Sequence, residues 1–286
     1  MQLRDYQRAA IDGVYSWFEE STGNPLVVVP TGGGKSVIAA SLIREVCEQW
    51  ADQRILVVTH VKELIAQNHA TLLRSWPEAP AGIYSAGLNR RDTRSRILFA
   101  GVQSIFRRTE ELGHFDIVLI DECHLLPPKG FGMYQTLLAG LRATNPKVKL
   151  IGLTATPYRT DTGKLDDGDN RLFHGIAYEC DIPQMISDGW LSPVTNRGVR
   201  AAIDTSGVKL RGGEFRADEL ETAATVDGLV ERSVDELIDR SVGRKSWLIF
   251  ACGIDHAEQI CAELSRRGII NTSVFGHTPA DDRDDR

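Results

Sequence analysis

A glycine-rich turn that ends in Lys35 and Ser36 is the stretch of the sequence whose residue types point most directly to chemistry. It follows the apolar run of residues 26–29, which is typical of a buried strand, and a helical pattern begins directly after it. Glycines let backbone N–H groups converge on phosphate oxygens, and a helix N-terminus adds the positive end of its dipole. This order predicts a nucleotide phosphate site rather than a flexible turn with an unrelated lysine. Its expected members are Thr31, Gly32, Gly33, Gly34, Lys35 and Ser36. We expect Lys35 to reach the terminal phosphates and Ser36 to ligate Mg²⁺.

Two adjacent carboxylates, Asp121 and Glu122, follow a second apolar run at residues 117–120. Ligands bind at the carboxyl ends of the strands in open parallel sheets, so both side chains are expected near the glycine-rich turn. Asp121 can hold Mg²⁺ through a water molecule, and Glu122 can polarise the water that attacks a phosphate. An acidic turn after a strand is common in isolation. Together with the phosphate site it predicts ATP hydrolysis, with Lys35, Asp121 and Glu122 as the catalytic residues.

Further apolar runs indicate the elements that must position these groups. They lie at residues 55–59, 97–100 and 149–153, and most are continuous, as in strands that are buried on both faces. Helical patterns separate several of them, and this alternation predicts an α/β fold with a parallel sheet. After about residue 193 the pattern weakens. There we predict a loop at residues 204–216, a helix within 226–238, and a helix at 254–264 between short strands at 247–250 and 272–275.

Composition narrows the class of protein but does not identify a partner. The chain has 286 residues with 42% apolar and 25% charged residues, which is ordinary for a globular protein. The net charge of −6 does not indicate nucleic-acid binding, although such a footprint can be local. The five cysteines are an odd number without metal-ligand spacing. No apolar run is long enough to cross a bilayer, so we expect a cytoplasmic protein without a membrane partner. The oligomeric state stays open.

The motifs, taken in chain order, resemble those of the superfamily 2 DEAD/DEAH-box helicases. The sequence Asp-Glu-Cys-His at residues 121–124 is similar to the box that names the family, and Leu-Arg-Asp-Tyr-Gln at 3–7 looks like its adenine-reading motif. The resemblance implies that Arg4 and Gln7 bind the adenine of ATP. It also implies that Thr154 and Thr156, in Thr-Ala-Thr-Pro, couple the ATP site to the nucleic acid together with His124.

Two other segments resemble the family's contacts to a nucleic-acid backbone. The first contains Thr59 and His60, and the second contains Gly101 and Gln103, with Val102 in place of the usual threonine. The resemblance implies that these residues bind mainly sugar and phosphate, so that recognition is largely independent of sequence. The motifs are most similar to bacterial and phage helicases and to the motor of type I and type III restriction enzymes. We expect DNA rather than RNA as the partner, although the sequence does not distinguish the two.

The resemblance implies a RecA-like nucleotide-binding fold with helices on both faces of the sheet, followed by an incomplete second RecA-like lobe. We predict a first lobe at residues 1–200, a linker with a helix at 201–243, and a partial second lobe at 244–286. Residues 248–250, 254–268 and 275–278 resemble the opening motifs of the second lobe, whereas the motif that carries the family's arginine finger has no counterpart before Arg286. We therefore expect a C-terminally truncated, ATP-dependent helicase or translocase. The alternative is a nucleic-acid-binding or regulatory fragment that binds ATP without efficient turnover.

Overall fold

The computed structural model describes residues 2–126, 132–159, 163–168, 171–193, 198–211, 214–276 and 278. The chain forms two compact units, Met1–Pro193 and Val194–Arg286. This boundary lies close to the predicted end of the first lobe. The residues predicted as a linker contain helices that belong to the second unit. The division into two lobes and a linker stays a prediction.

An eight-stranded sheet forms the centre of the first unit, with seven mutually parallel strands and one antiparallel edge strand. In chain order its strands are β1 (Pro25–Val28), β2 (Ile55–Thr59), β3 (Ala81–Ser85), β4 (Arg90–Arg91), β5 (Ile97–Gly101), β6 (Ile117–Asp121) and β7 (Lys149–Thr154). The short hairpin of β8 (Tyr158–Arg159) and β9 (Gly163–Lys164) precedes the last strand of the sheet, β10 (Gly175–Glu179). The spatial order is β10-β1-β7-β6-β2-β5-β3-β4. All five strands predicted from apolar runs in this unit are confirmed.

Helices cover both faces of this sheet, as predicted. They are α1 (Asp5–Glu20), α2 (Lys35–Gln49), α3 (Lys62–Ser75), α4 (Val102–Ile105), α5 (Thr109–Leu112), α6 (Met133–Thr144) and α7 (Ile182–Ser187). Alternate residues of each strand point to opposite faces, so Val57 packs in one apolar core and Leu56 in the other. The first core includes residues of α1, α2 and α3, and the second includes residues of α4 and α6. Burial on both faces explains why these strands read as continuous apolar runs.

The parallel arrangement brings the carboxyl ends of the strands to one edge of the sheet. The turn after β1, the turn after β6 and the ends of β2, β5 and β7 therefore lie along the same edge. Apart from Arg4 and Gln7, which precede β1, each residue group predicted to do chemistry lies at or shortly after one of these ends. The fold thus assembles them from segments that are far apart in the chain.

The second unit is mainly helical in the residues that the structure describes. It contains a short hairpin of β11 (Leu210–Arg211) and β12 (Glu214–Phe215), followed by α8 (Ala217–Ala224), α9 (Leu229–Arg240) and α10 (Ile254–Arg266). The helix predicted within 226–238 begins only at Leu229, because Gly228 precedes it with a positive φ of 73°. Val230 and Val234 of α9 pack against Ile260 and Leu264 of α10.

The strands predicted at residues 247–250 and 272–275 are wrong for the described part of the chain, which has no paired strand there. Side chains still alternate along the first segment. Trp247 and Ile249 pack on the helices, whereas Leu248 and Phe250 are 81% and 86% exposed. A strand needs a neighbour to receive its backbone hydrogen bonds, and the apolar pattern alone does not supply one. Position 277 of the predicted segment 275–278 lies outside the described residues.

Within the described residues, we find no helix that combines the length and the apolar character needed to span a membrane. The cytoplasmic location stays a prediction.

Candidate nucleotide and nucleic-acid site

The glycine turn, residues 30–34, has a backbone that only glycine adopts without strain. Gly32 and Gly34 both have a φ of 82°, in the left-handed region. Gly33 has no room for a side chain, since a Cβ atom there would lie 2.6 Å from Val29 Cγ1 and 3.0 Å from Pro30 O. Gly34 is also the N-cap of α2 and makes no side-chain cap, so the turn leads into a helix N-terminus suited to an anion.

Lys35, the first residue of α2, points back across the glycine turn. Its Nζ atom lies 3.3 Å from Glu122 Oε1 and 3.5 Å from the carbonyl oxygen of Val29. Both charged side chains are largely buried, which strengthens their attraction relative to a surface pair. Glu122 itself has φ and ψ of 51° and 46°, a left-handed conformation that is unfavourable for a non-glycine residue. Such strain is typical of functional sites, and here it turns the carboxylate towards Lys35.

Ser36 and Asp121 are joined by a residue that the sequence analysis missed. The Ser36 hydroxyl donates to Asn68 Oδ1 at 2.6 Å, and Asn68 Nδ2 donates to Asp121 Oδ2 at 2.8 Å. The backbone N–H of Glu122 donates to the other carboxylate oxygen at 3.0 Å. Burial raises the pKa of Asp121 above its ordinary value, and the hydrogen bond from Asn68 opposes this shift.

The donor set at this point is compatible with Mg²⁺. A hydroxyl oxygen and a carboxylate are the hard oxygen ligands that Mg²⁺ prefers, and its remaining ligands usually come from water and substrate phosphates. In the described part of the chain, no three His, Cys, Asp or Glu residues are grouped so that they could hold a metal ion by themselves. Ser36 and Asp121 are thus the residues that would hold the ion, next to the glycine turn.

A chain of polar contacts links Glu122 to the end of β7. His124 Nδ1 lies 3.3 Å from Glu122 Oε2 and 3.0 Å from Thr154 Oγ1. Thr154 is fully buried, and its hydroxyl donates to Thr156 O at 3.0 Å while accepting from Thr156 N–H at 3.1 Å. Which atom donates in the contact between His124 Nδ1 and the Thr154 hydroxyl depends on the tautomer of His124. The three residues predicted to couple the two sites are therefore in contact.

The two residues predicted to bind adenine lie on the other side of the glycine turn. Gln7 is buried, with its Nε2 atom 3.3 Å from Gly33 O and its Oε1 atom accepting from Arg4 N–H at 3.0 Å. The Tyr6 hydroxyl donates to Gly33 O at 2.8 Å. The Arg4 guanidinium lies over the ring of Trp190, a residue that no sequence pattern had indicated.

A cleft of about 450 Å³ opens beside the carboxyl ends of β2, β3 and β5. Three of the four residues predicted to bind nucleic acid line it, namely His60, Gly101 and Gln103. Gln103 Nε2 donates to the carbonyl oxygen of His60 at 3.0 Å and so ties the two segments together. Val61, the first turn of α3, the residues from Ser85 to Gly87, and Ser104 complete the lining.

Thr59 is the exception among these four residues. It is only 1% exposed, and its hydroxyl accepts from the Val61 N–H at 3.5 Å. Its hydroxyl thus contacts the turn beside the cleft, and its predicted contact with nucleic acid stays a prediction. Val102, the departure from the family pattern, is fully buried in the apolar core, which accounts for the absence of a hydroxyl there.

The chain matches the protein-family model described as "Type III restriction enzyme, res subunit" over residues 1–159. Those residues contain the glycine turn, the Asp121–Glu122 pair, the residues predicted to couple the two sites, and the cleft.

Two curated proteins illustrate the relatives of the chain. It is 27% identical to "Putative ATP-dependent helicase IRC3" of Saccharomyces cerevisiae, over 99% of this chain and 42% of that protein. It is 30% identical to "DNA 3'-5' translocase XPB2" of Sulfurisphaera tokodaii, over 60% of this chain and 34% of that protein. The chain therefore spans less than half the length of these relatives.

Among solved structures, the chain is similar to "the fragment structure of a putative HsdR subunit of a type I restriction enzyme" from Vibrio vulnificus YJ016. The TM-score is 0.61 at 22% identity, with 93% of this chain and 45% of that chain covered. At this identity the likeness concerns the fold, which is the RecA-like class expected from the sequence.

Proposed function

The chain belongs to the family described as type III restriction enzyme, res subunit, and from this premise we propose that it hydrolyses Mg-ATP to move along or unwind DNA. Names of relatives include an ATP-dependent helicase and a DNA translocase, which supports a nucleic-acid motor and favours DNA over RNA.

The observation that carries the proposal is the unbroken series of contacts from Lys35 through Glu122 and His124 to Thr154. A motor must transmit the state of its nucleotide to its track, and this requires polar groups that change partners when the γ-phosphate arrives or leaves. Lys35 would leave Glu122 for the phosphates, which frees Glu122 to orient water. His124 contacts both Glu122 and Thr154, so a movement of the carboxylate alters the hydrogen bonding at the end of β7.

The residues have distinct roles in this proposal. The backbone of the glycine turn and Lys35 bind the phosphates, and Ser36 and Asp121 hold Mg²⁺, which would neutralise charge on the phosphates when bound. Glu122 positions the attacking water, and Arg4 and Gln7 bind the adenine. The cleft beside His60, Gly101 and Gln103 takes one strand through its sugar–phosphate backbone.

Strand-dependent ATP hydrolysis tests this function directly. The purified chain is assayed with Mg-ATP alone, with duplex DNA, with single-stranded DNA and with RNA, and Glu122→Gln gives the background rate. We expect at least one form of DNA to raise the rate above both the nucleic-acid-free rate and the rate with RNA. Tight Mg-ATP binding with no stimulation by any strand would instead favour the regulatory fragment.

A further inference from the structure

Asn68 lies between the two residues assigned to Mg²⁺ and contacts both of them. It is on α3 and only 6% exposed. Its side-chain oxygen is 2.6 Å from Ser36 Oγ, and its side-chain nitrogen is 2.8 Å from Asp121 Oδ2. One amide thus connects the start of α2 with the end of β6.

The chemistry of the three groups fixes the direction of both hydrogen bonds. An ionised carboxylate can only accept, so the NH₂ group of Asn68 must face Asp121. The amide oxygen then faces Ser36, and the serine hydroxyl must donate to it. Within this bridge Asn68 donates to Asp121 and accepts from Ser36. It therefore connects the two side chains while keeping them apart.

This arrangement leaves the correct atoms available for a cation. The single proton of Ser36 is directed at Asn68, so the lone pairs of its Oγ atom are free to face a metal ion. Asp121 is held by Asn68 at one oxygen and by the Glu122 N–H at the other, and each oxygen keeps a further lone pair. Residues that orient metal ligands in this way typically change metal affinity by 10- to 100-fold when they are replaced.

We propose that Asn68 is a positioning residue that presents Ser36 and Asp121 to the Mg²⁺ of a bound nucleotide. Its NH₂ group donates to Asp121 Oδ2 and so holds one oxygen of that carboxylate in place. When Mg-ATP binds, Asn68 keeps the Ser36 proton directed away from the ion. The inference rests on the Mg-ATP site proposed above and adds to it a residue that does not touch the nucleotide.

The test is the Mg²⁺ dependence of nucleotide binding, measured with a fluorescent ATP analogue at a series of free Mg²⁺ concentrations and in EDTA. For Asn68→Ala we expect the Mg²⁺ concentration at half-maximal binding to rise by about 10- to 100-fold. The affinity in EDTA should change by less than about twofold, because the glycine turn and Lys35 are untouched.

Thr71→Ala is the matched control. Thr71 is on the same helix, is equally buried at 6% exposure, and uses its hydroxyl only to donate to the backbone oxygen of Gln67. It should lower the thermal stability while leaving the Mg²⁺ dependence unchanged. If Asn68→Ala does not fold, Asn68→Ser serves instead, since a serine side chain is too short to reach both partners and should show the same shift.

Three results would overturn the inference. If a folded Asn68 variant shows an unchanged Mg²⁺ dependence, Asn68 has no positioning role, but the proposed nucleotide site of the parent protein is not contradicted. A parallel loss of affinity with and without Mg²⁺ would mean that Asn68 only supports the structure. If the parent protein itself shows no Mg²⁺-dependent nucleotide binding, the proposed site fails and the inference with it.

Discussion

The guanidinium carbon of Arg4 lies 4.3 Å from the ring centre of Trp190, a residue 186 positions later in the chain. Trp190 follows α7 and is held there by a hydrogen bond from its backbone N–H to Met185 O at 2.9 Å. Its ring is 43% exposed, and its centroid lies 6.4 Å from that of Tyr6. Because Arg4 also donates to the Tyr6 hydroxyl, the segment after α7 helps to fix the group that we assign to the adenine.

Trp190→Ala should therefore weaken the binding of ATP through its base and not through its phosphates. An exposed cation–π contact contributes about 0.5–1 kcal/mol, which corresponds to a loss of roughly two- to fivefold in affinity. The affinity for inorganic tripolyphosphate should stay the same. Titrations of both ligands against Trp190→Ala and Trp190→Phe measure the effect. The phenylalanine variant keeps an aromatic ring and should keep most of the affinity for ATP. An equal loss for both ligands would contradict a role at the base.

Lys35→Ala should weaken Mg-ATP binding by more than tenfold, or about 1.4 kcal/mol. The variant loses the cation that reaches the phosphates and leaves Glu122 without its ion-pair partner at 3.3 Å. Isothermal titration of a variant with a parental circular dichroism spectrum measures the loss. Lys147→Ala removes an exposed lysine of the same unit and should bind Mg-ATP normally. Unchanged affinity in Lys35→Ala would refute its assignment to the phosphates.

Glu122→Gln should separate binding from hydrolysis. Glutamine has the same size as glutamate and can still contact His124, but it cannot take up a proton from the attacking water. We expect Mg-ATP affinity within a few-fold of the parent and a hydrolysis rate lower by on the order of 10² or more. Single-turnover assays of bound nucleotide measure the chemical step. Hydrolysis at the parental rate would remove Glu122 from the reaction.

Sequence patterns located the strands and the glycine turn of the first unit for a physical reason. Parallel strands that are buried on both faces must be apolar throughout, and the glycine turn needs residues that tolerate positive φ. Both requirements are local, so the sequence displays them. The segment 247–250 shows the limit of this argument, because it has the same apolar character as the buried strands without a paired neighbour in the described residues.

Asn68 and Trp190 could not be recognised in the same way, because their roles depend on contacts across the fold. Asn68 reads as one polar residue of a helix until α3 packs beside α2 and β6. One signal was present: it falls between Ile65 and Leu72 on the buried stripe of the helix, where a polar residue requires a partner. Arg96 also shows how contacts across the fold decide a role, because its guanidinium donates to the carbonyl oxygens of Gln53, Cys47 and Trp50.

His124→Ala and Thr154→Val should each reduce the stimulation of ATP hydrolysis by DNA more than they reduce nucleotide binding. Both remove the 3.0 Å contact that joins the water-positioning side of the site to the end of β7. Since the two substitutions break the same link, the double variant should lose little more than either single variant. His114→Ala is the control, because that exposed histidine pairs with Asp116 before β6, at the opposite edge of the sheet. Additive losses of stimulation in the double variant would mean that the two residues act independently of each other.

Lys62→Ala should reduce the salt dependence of DNA binding without affecting Mg-ATP. Lys62 is the first residue of α3, lines the cleft, and has an exposed side chain whose partner in the described residues, Glu63, lies 3.8 Å away at the surface. Each phosphate contact that a cation makes to duplex DNA contributes about −0.9 to the slope of log K against log salt. We therefore expect the slope to become shallower by about one unit, measured by fluorescence anisotropy of labelled duplex DNA between low and moderate salt.

The same anisotropy measurement separates what the charge of the cleft contributes to DNA binding from what its shape contributes. Gln103→Ala breaks the hydrogen bond to His60 that ties its two sides together, so affinity should fall while the slope stays constant, because no cation is lost. Lys147→Ala removes the same charge as Lys62→Ala just before β7, at the edge of the sheet away from the cleft, and should alter neither quantity. If Lys62→Ala and Lys147→Ala change the slope equally, DNA does not follow this cleft, because only the net charge of the chain then matters.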